Sequence, residues 1–149
     1  MDLQVKIKLT RGMSAPAYAT GGSAAVDLRA ALEPGQTLTL RPGERALVPT
    51  GIAVSCERED VVAIVAGRSG LGIRQGITLS NSIGVIDSDY RGEIMVGLVN
   101  HGQDDFEIVR GDRIAQLFFL PVYHASFLSC QTLDETERGA GGFGSTGKK

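Results

Sequence analysis

Val5-Lys6-Ile7-Lys8-Leu9-Thr10 sets the fold class of this chain. Apolar side chains at 5, 7 and 9 alternate with polar ones at 6, 8 and 10. That is the period of a half-buried strand, whose successive side chains leave opposite faces. The period returns at Val26, Leu28, Ala30 and Leu32, set between Asp27, Arg29 and Ala31. Shorter apolar runs follow at 37–40, 46–48, 52–54 and 61–65, then at 94–99, 106–109, 114–120 and 127–133. Turn sequences separate them: Glu33-Pro34-Gly35, Arg41-Pro42-Gly43, Pro49-Thr50-Gly51, Asn100-His101-Gly102 and Arg110-Gly111-Asp112. Many short strands at this spacing predict an all-β sandwich, jelly roll or barrel rather than βαβ units. Only residues 69–76 suggest a helical turn, and no internal repeat is visible.

The 149 residues, 42% hydrophobic and 21% charged, suit one globular domain with a single core. A net charge of -2 argues against a binder of duplex nucleic acid, which would carry a basic surplus. It leaves room for a small anion held by local cations and backbone N–H groups. No apolar run approaches a membrane span and no charged-then-apolar segment opens the chain, so the expected location is cytoplasmic. Cys56 and Cys130 lack CxxC spacing and read as reduced thiols, although a disulfide is possible in principle. His101 and His124 lack an HExxH context, which argues against a protein-caged zinc.

Composition shifts near Asp134, dividing a β domain at 1–133 from a C-terminal arm at 134–149. The stretch from Arg138 to Lys149 is too rich in glycine to build a core. Composition alone suits a disordered tail. Phe143, a lone large aromatic among five glycines, suits a tail that closes over a flat ring. Gly142 to Lys148 also fits GxxxxGK, but Lys149 stands where a P-loop needs Ser or Thr, and no helix follows. The glycines could still converge N–H groups on phosphate oxygens, with Ser145, Thr146 and Arg138 adding hydroxyls and a cation.

Three further segments carry chemistry. Gly67-Arg68-Ser69-Gly70-Leu71-Gly72 follows an apolar strand and suits an anion-binding corner, as it also suits an ordinary strand-to-helix turn. Gly84-Val85-Ile86-Asp87-Ser88-Asp89-Tyr90-Arg91-Gly92-Glu93 reads as a hairpin connection that gathers two carboxylates and a tyrosine. A carboxylate beside a bound triphosphate can orient and deprotonate a water. Asp27 shares a strand face with Arg29 and is either a solvated residue or an anchor for Mg²⁺, which needs few protein ligands beside substrate oxygens.

Taken in order, these segments resemble the trimeric dUTP diphosphatases (dUTPases), a family with five short motifs. They read Ala24-Ala25-Val26-Asp27-Leu28, then Gly67 to Leu71, then Gly84 to Gly92. The fourth is Gly111-Asp112-Arg113-Ile114-Ala115-Gln116, and the fifth runs from Arg138 to Ser145. The resemblance implies a jelly-roll-like homotrimer with three sites, each drawing on all three chains, and an arm that closes over a neighbour's site. It implies hydrolysis of dUTP to dUMP and pyrophosphate with Mg²⁺, which would limit uracil in DNA and supply dUMP for thymidylate synthesis. Asp87 would align the water and Asp27 would hold the metal through its water shell. Arg68, Ser69, Gly70 and Gln116 would contact phosphates. Asn81, with the backbone of Gly84, Val85 and Ile86, would read the uracil edge. Tyr90 would pack under the deoxyribose and Phe143 on the uracil. Arg138, Gly144, Ser145 and Thr146 would hold the γ-phosphate end. Asp89 matches a position where the family tolerates other residues. Ala25 and Gly67 depart from the family's usual glycine and proline without removing a functional group.

Two rivals share the scaffold. A dCTP deaminase would need a glutamate where Gly97 stands, and glycine transfers no proton. A non-catalytic nucleotide sensor needs none of Asp27, Asp87, Tyr90 and Phe143 together.

Overall fold

A computed structural model describes residues 3–142. In chain order the strands are β1 (Val5–Leu9), β2 (Val26–Arg29), β3 (Thr37–Leu40), β4 (Arg45–Pro49), β5 (Ile52–Cys56) and β6 (Val61–Ala66). One short helix, α1 (Ser69–Gln75), precedes β7 (Ile77–Leu79), β8 (Ile83–Ile86), β9 (Met95–Asn100), β10 (Phe106–Val109) and β11 (Arg113–Pro121). All pairings are antiparallel: β2-β11-β6-β8, β4-β9-β7, β1-β5 and β10-β3. The all-β expectation and the single helical turn are both met. No helix of the described residues is long and apolar enough to cross a membrane.

The core gathers one face of nearly every strand. Leu28, Leu40, Val48, Val96, Leu98, Ile108, Ile114 and Leu117 pack together with Ile77 and Ile94. Each such side chain, moved out of water, contributes about 1.5–3 kcal/mol before the entropy of ordering it is charged against it. Two buried polar side chains are satisfied. Thr50 donates to the Ile94 carbonyl at 2.6 Å, and the Asn100 amide donates to the Leu40 carbonyl at 2.7 Å and the Asp104 carbonyl at 2.9 Å.

Four local expectations fail, each for a physical reason. β1 alternates cleanly in sequence, yet Ile7 and Leu9 remain 39% and 43% exposed. It pairs only with β5, and Val5 and Ile7 line an open apolar groove with Tyr18, Val54 and Phe119. The run at 26–32 ends as a strand at Arg29, and Ala31 is buried rather than outward. The backbone turns away there, with Ala30 N–H bonded to Asp112 O and Ala31 N–H to Pro49 O. The run at 127–133 forms no strand: Phe127, Leu128 and Leu133 are 93%, 89% and 84% exposed. A strand needs a partner ladder, and this segment has none within its own described chain. Finally, the segment after β8 is no hairpin connection. β8 pairs with β6, whereas β9 pairs with β4 and β7, so residues 87–94 carry the chain from one sheet to another.

Cys56 is buried and Cys130 exposed, and both are free thiols.

Candidate active site

Register places the first cluster. Asp27 on β2 lies opposite Gln116 on β11, and Gln116 lies opposite Ala66 on β6, so one row crosses three strands. Two residues beyond Ala66, where β6 ends, Arg68 turns back over that row. Its Nε donates to Asp27 Oδ1 at 2.9 Å, and its Nη1 donates to the Arg113 carbonyl at 3.3 Å. Arg113 Nη1 reaches the other Asp27 oxygen at 3.3 Å. Gln116 Nε2 donates to the Gly67 carbonyl at 3.0 Å and so fixes the corner from which Arg68 departs. The Asp27–Arg68 pair is about three-quarters covered, with side-chain exposures of 26% and 24%.

The sequence reading did not assign Arg113 a role. It enters through register, which only the paired strands reveal: Arg113 lies opposite Arg29, which shares a face with Asp27. Asp27, Arg29, Arg110 and Arg113 line a cavity of about 630 Å³. Three guanidinium groups and one carboxylate on its lining leave this cavity locally positive on a chain of net charge -2. Such a face attracts a small polyanion.

Beyond this corner, Ser69 and Gly70 open α1. Gly76 ends the helix with φ 70°, and a Cβ there would lie 2.4 Å from Gly102 N. Glycine is therefore required on both counts.

The second cluster follows the edge strand β8. Gly84, Val85 and Ile86 pair with Val65, Ile64 and Ala63, which leaves the other backbone edge of β8 without a strand partner among the described residues. Asn81 sits in the exposed turn before it, where Ser82 adopts φ 63°. After Ile86 the chain turns, with Tyr90 N–H bonded to Asp87 O at 3.1 Å. The Tyr90 hydroxyl donates to the Glu93 carbonyl at 3.1 Å. Asp87, Ser88, Asp89 and Arg91 line a cavity of about 760 Å³ with Glu57, Arg58 and His124.

One chain does not bring the two clusters together. Asp87 lies four residues past Ile83, which ends the row containing Asp27, and β11 and β6 lie between β2 and β8, three inter-strand steps in all. At strand spacings of about 4.8 Å and rises of about 3.3 Å, that offset corresponds to about 20 Å between backbone positions. In the arm, Arg138 Nε donates to its neighbour Gly141 O at 2.8 Å, and the segment is exposed. Phe143, Gly144, Ser145 and Thr146 lie outside the described residues.

No group of three or more His, Cys, Asp or Glu side chains converges among the described residues. A caged metal therefore does not fit them. A cation that keeps its water shell and contacts one carboxylate does fit, because each Asp27 oxygen has a single guanidinium donor and retains a free lone pair.

Fold and clusters define the class: an all-β protein with polar groups gathered at strand ends, cationic at one end and carboxylate-bearing at the other. A family model described as dUTPase matches residues 11–147. The deoxyuridine 5'-triphosphate nucleotidohydrolase of Desulfitobacterium hafniense is 50% identical over 149 residues, covering 98% of this chain and 97% of that protein. The Rhizobium rhizogenes protein of the same name is 51% identical over 143 residues, covering 96% and 91%. Among solved structures, the dUTPase of Staphylococcus bacteriophage 80alpha with dUPNHPP aligns at TM-score 0.85 and 24% identity, covering 97% of this chain and 98% of that one. The chain belongs to the dUTPase family and is an enzyme.

Proposed function

We propose that this enzyme hydrolyses dUTP to dUMP and pyrophosphate at sites assembled from several copies of a jelly-roll-like chain, as a homotrimer. Relatives at half identity carry the name deoxyuridine 5'-triphosphate nucleotidohydrolase. The observation that carries the assembled site is the register, which sets Asp27 and Asp87 three inter-strand steps and four residues apart in one sheet. A water attacking the α-phosphorus and the cation on the same phosphate chain must lie within a few ångströms of each other. In this reading Asp27 and Asp87 of one site therefore come from different copies.

In this reading Arg68, Ser69, Gly70 and Gln116 bind the phosphate chain, and Arg113 adds positive charge beside them. Asn81 and the unpaired edge of β8, at Gly84 to Ile86, offer backbone donors and acceptors to the uracil edge. Tyr90 packs under the deoxyribose and excludes a 2′-hydroxyl. Asp87 holds a water in line with the α-phosphorus and takes its proton as the bond to pyrophosphate breaks. The arm at 134–149 closes over a neighbouring copy's site, with Phe143 on the base and Arg138, Gly144, Ser145 and Thr146 at the γ-phosphate. Asp27 would hold Mg²⁺ through its water shell, and the ion would neutralise triphosphate charge. A phage phi11 dUTPase is described as coordinating a structural Mg(II) ion.

The test is product analysis with purified protein, Mg²⁺ and each deoxynucleoside triphosphate or UTP. Release of dUMP and pyrophosphate from dUTP, with at least a hundredfold preference, is the expected result for a site that pairs with one base edge. Comparable turnover of dCTP or UTP, or a deaminated product, would overturn it.

A further inference from the structure

The Tyr90 ring is not held by burial. It is 44% exposed, lies across Gly92, and donates its hydroxyl to the Glu93 carbonyl at 3.1 Å. A Cβ on Gly92 would stand 2.3 Å from the Tyr90 hydroxyl oxygen, so the ring rests against bare backbone. Its position therefore follows the Gly92–Glu93 peptide, and that peptide is clamped from behind. Glu93 Oε1 accepts the Gly51 N–H at 2.7 Å, and Arg11 Nε reaches both carboxylate oxygens at 3.0 and 3.2 Å. Arg11 is one of two described non-glycine residues with positive φ, at 53°. That conformation is costly for a long side chain and persists only where surrounding bonds enforce it. They do so here: Arg110 Nη2 donates to the Arg11 carbonyl, while Arg110 Nη1 donates to Leu32 O at 2.7 Å. The next residue is pinned as well, with Ile94 N–H bonded to Ile52 O at 2.8 Å.

We infer that Glu93, clamped by Arg11 and the Gly51 N–H, is a positioning residue that sets the Tyr90 ring and thereby the discrimination between deoxyribose and ribose. The inference rests on the sugar-facing role proposed for Tyr90. Glu93 itself touches no substrate. Its carboxylate points to Gly51, just before β5, and to Arg11, two residues past β1, while its carbonyl accepts from the Tyr90 hydroxyl. Without the clamp, the peptide under the ring gains freedom and the ring no longer stands firmly where a 2′-hydroxyl would enter.

The test is the ratio of kcat/KM for dUTP over UTP in the intact enzyme. A loss of folded enzyme lowers both values equally and leaves the ratio alone, so a merely structural role does not move it. Glu93→Ala and Arg11→Ala should each lower the ratio about 10-fold or more, the scale of a small misplacement of a positioning group. Glu93→Gln, whose amide oxygen can still accept the Gly51 N–H, should lower it less. In the Tyr90→Ala background, Glu93→Ala should lower it no further. A drop with Tyr90→Ala but none with Glu93→Ala or Arg11→Ala would overturn the inference and leave the role of Tyr90 standing. An unchanged ratio in Tyr90→Ala would overturn that role and the inference together. Should Glu93→Ala fail to fold, Arg11→Ala and Glu93→Gln make the same comparison.

Discussion

Arg68 donates from Nε to Asp27 Oδ1 at 2.9 Å, joining the corner after β6 to the middle of β2. The cation proposed to bind phosphate and the carboxylate proposed to carry Mg²⁺ thus hold each other in place before any ligand arrives. Asp27→Asn keeps the shape and removes the charge. The expected outcome is a loss of dUTP turnover of about 10²-fold or more at low Mg²⁺, partly recovered at high Mg²⁺. The pair is partly exposed, so thermal stability should change by no more than about 1 kcal/mol. Rates measured across a Mg²⁺ titration, beside a melting curve, check both parts. A variant with unaltered Mg²⁺ dependence would remove Asp27 from the metal role.

Asp87 and Asp89 share one cavity, and only Asp87 is assigned the water. Asp87→Asn should reduce turnover by roughly 10²–10⁴-fold, the usual worth of a general base, with KM little altered. Asp89→Asn should cost far less. Steady-state kinetics of the two variants side by side decide the assignment, and a reversed order would move the base to Asp89.

Asn100 is fully buried, and its side chain bonds the Leu40 and Asp104 carbonyls and the Gly102 N–H. Asn100→Ala strands all three. Each unsatisfied buried group costs about 1–3 kcal/mol, so a loss of roughly 2–4 kcal/mol is expected after partial relaxation. Because Gly102 packs against Gly76 at the end of α1, the corner proposed to bind phosphate should loosen too. Denaturant unfolding and KM for dUTP are the measurements, and a loss below about 1 kcal/mol would contradict this reading of the buried amide.

Glu93 gives the pH dependence a sign. Partial burial raises its carboxyl pKa, but bonds from Arg11 and the Gly51 N–H outweigh burial and hold it below the usual glutamate value. A group with a depressed folded pKa stabilises above its unfolded pKa and loses that contribution as pH falls through the folded value. The advantage of wild type over Glu93→Gln should therefore be full at neutral pH and shrink below about pH 4.3. Melting both proteins between pH 7 and 3 tests this, and a gap that widens on acidification would reverse the assignment.

The strands were legible because alternation is a local signal: β3 and β10 lie where period and turn chemistry put them, and β2 begins there. The single helix was legible from the glycine-bounded stretch at 69–76, which ends at the αL residue Gly76. Partnership was not legible. Nothing in the period of Val5-Lys6-Ile7 says that β1 meets only β5, or that β8 and β9 join different sheets. The same limit governs the site. Asp27, Arg68 and Gln116 were readable as candidates, but Arg113 enters through cross-strand register, which requires the paired strands. Exposed Phe127, Leu128 and Leu133 mark a segment whose pattern suggested a strand but which finds no ladder among the described residues.

The proposed sharing of the site makes a prediction that no single-chain site can meet. If Asp87 and the arm that complete one site come from different copies, two inactive proteins should rescue each other. The first carries Asp87→Asn with an intact arm. The second keeps Asp87 and lacks residues 138–149, a removal that should leave melting nearly unchanged because the segment is too rich in glycine to supply core. Each alone should be nearly inactive. After joint denaturation and refolding, a site works when its Asp87 comes from the armless chain and its arm from the Asp87→Asn chain. In a closed assembly drawn at random from an equal mixture, each condition holds half the time, so about a quarter of sites should recover. Mixing without chain exchange should recover none. Refolded mixtures that stay inactive, although mixed assemblies are shown to form, would mean that each chain supplies its own base and arm, and the shared site would be wrong.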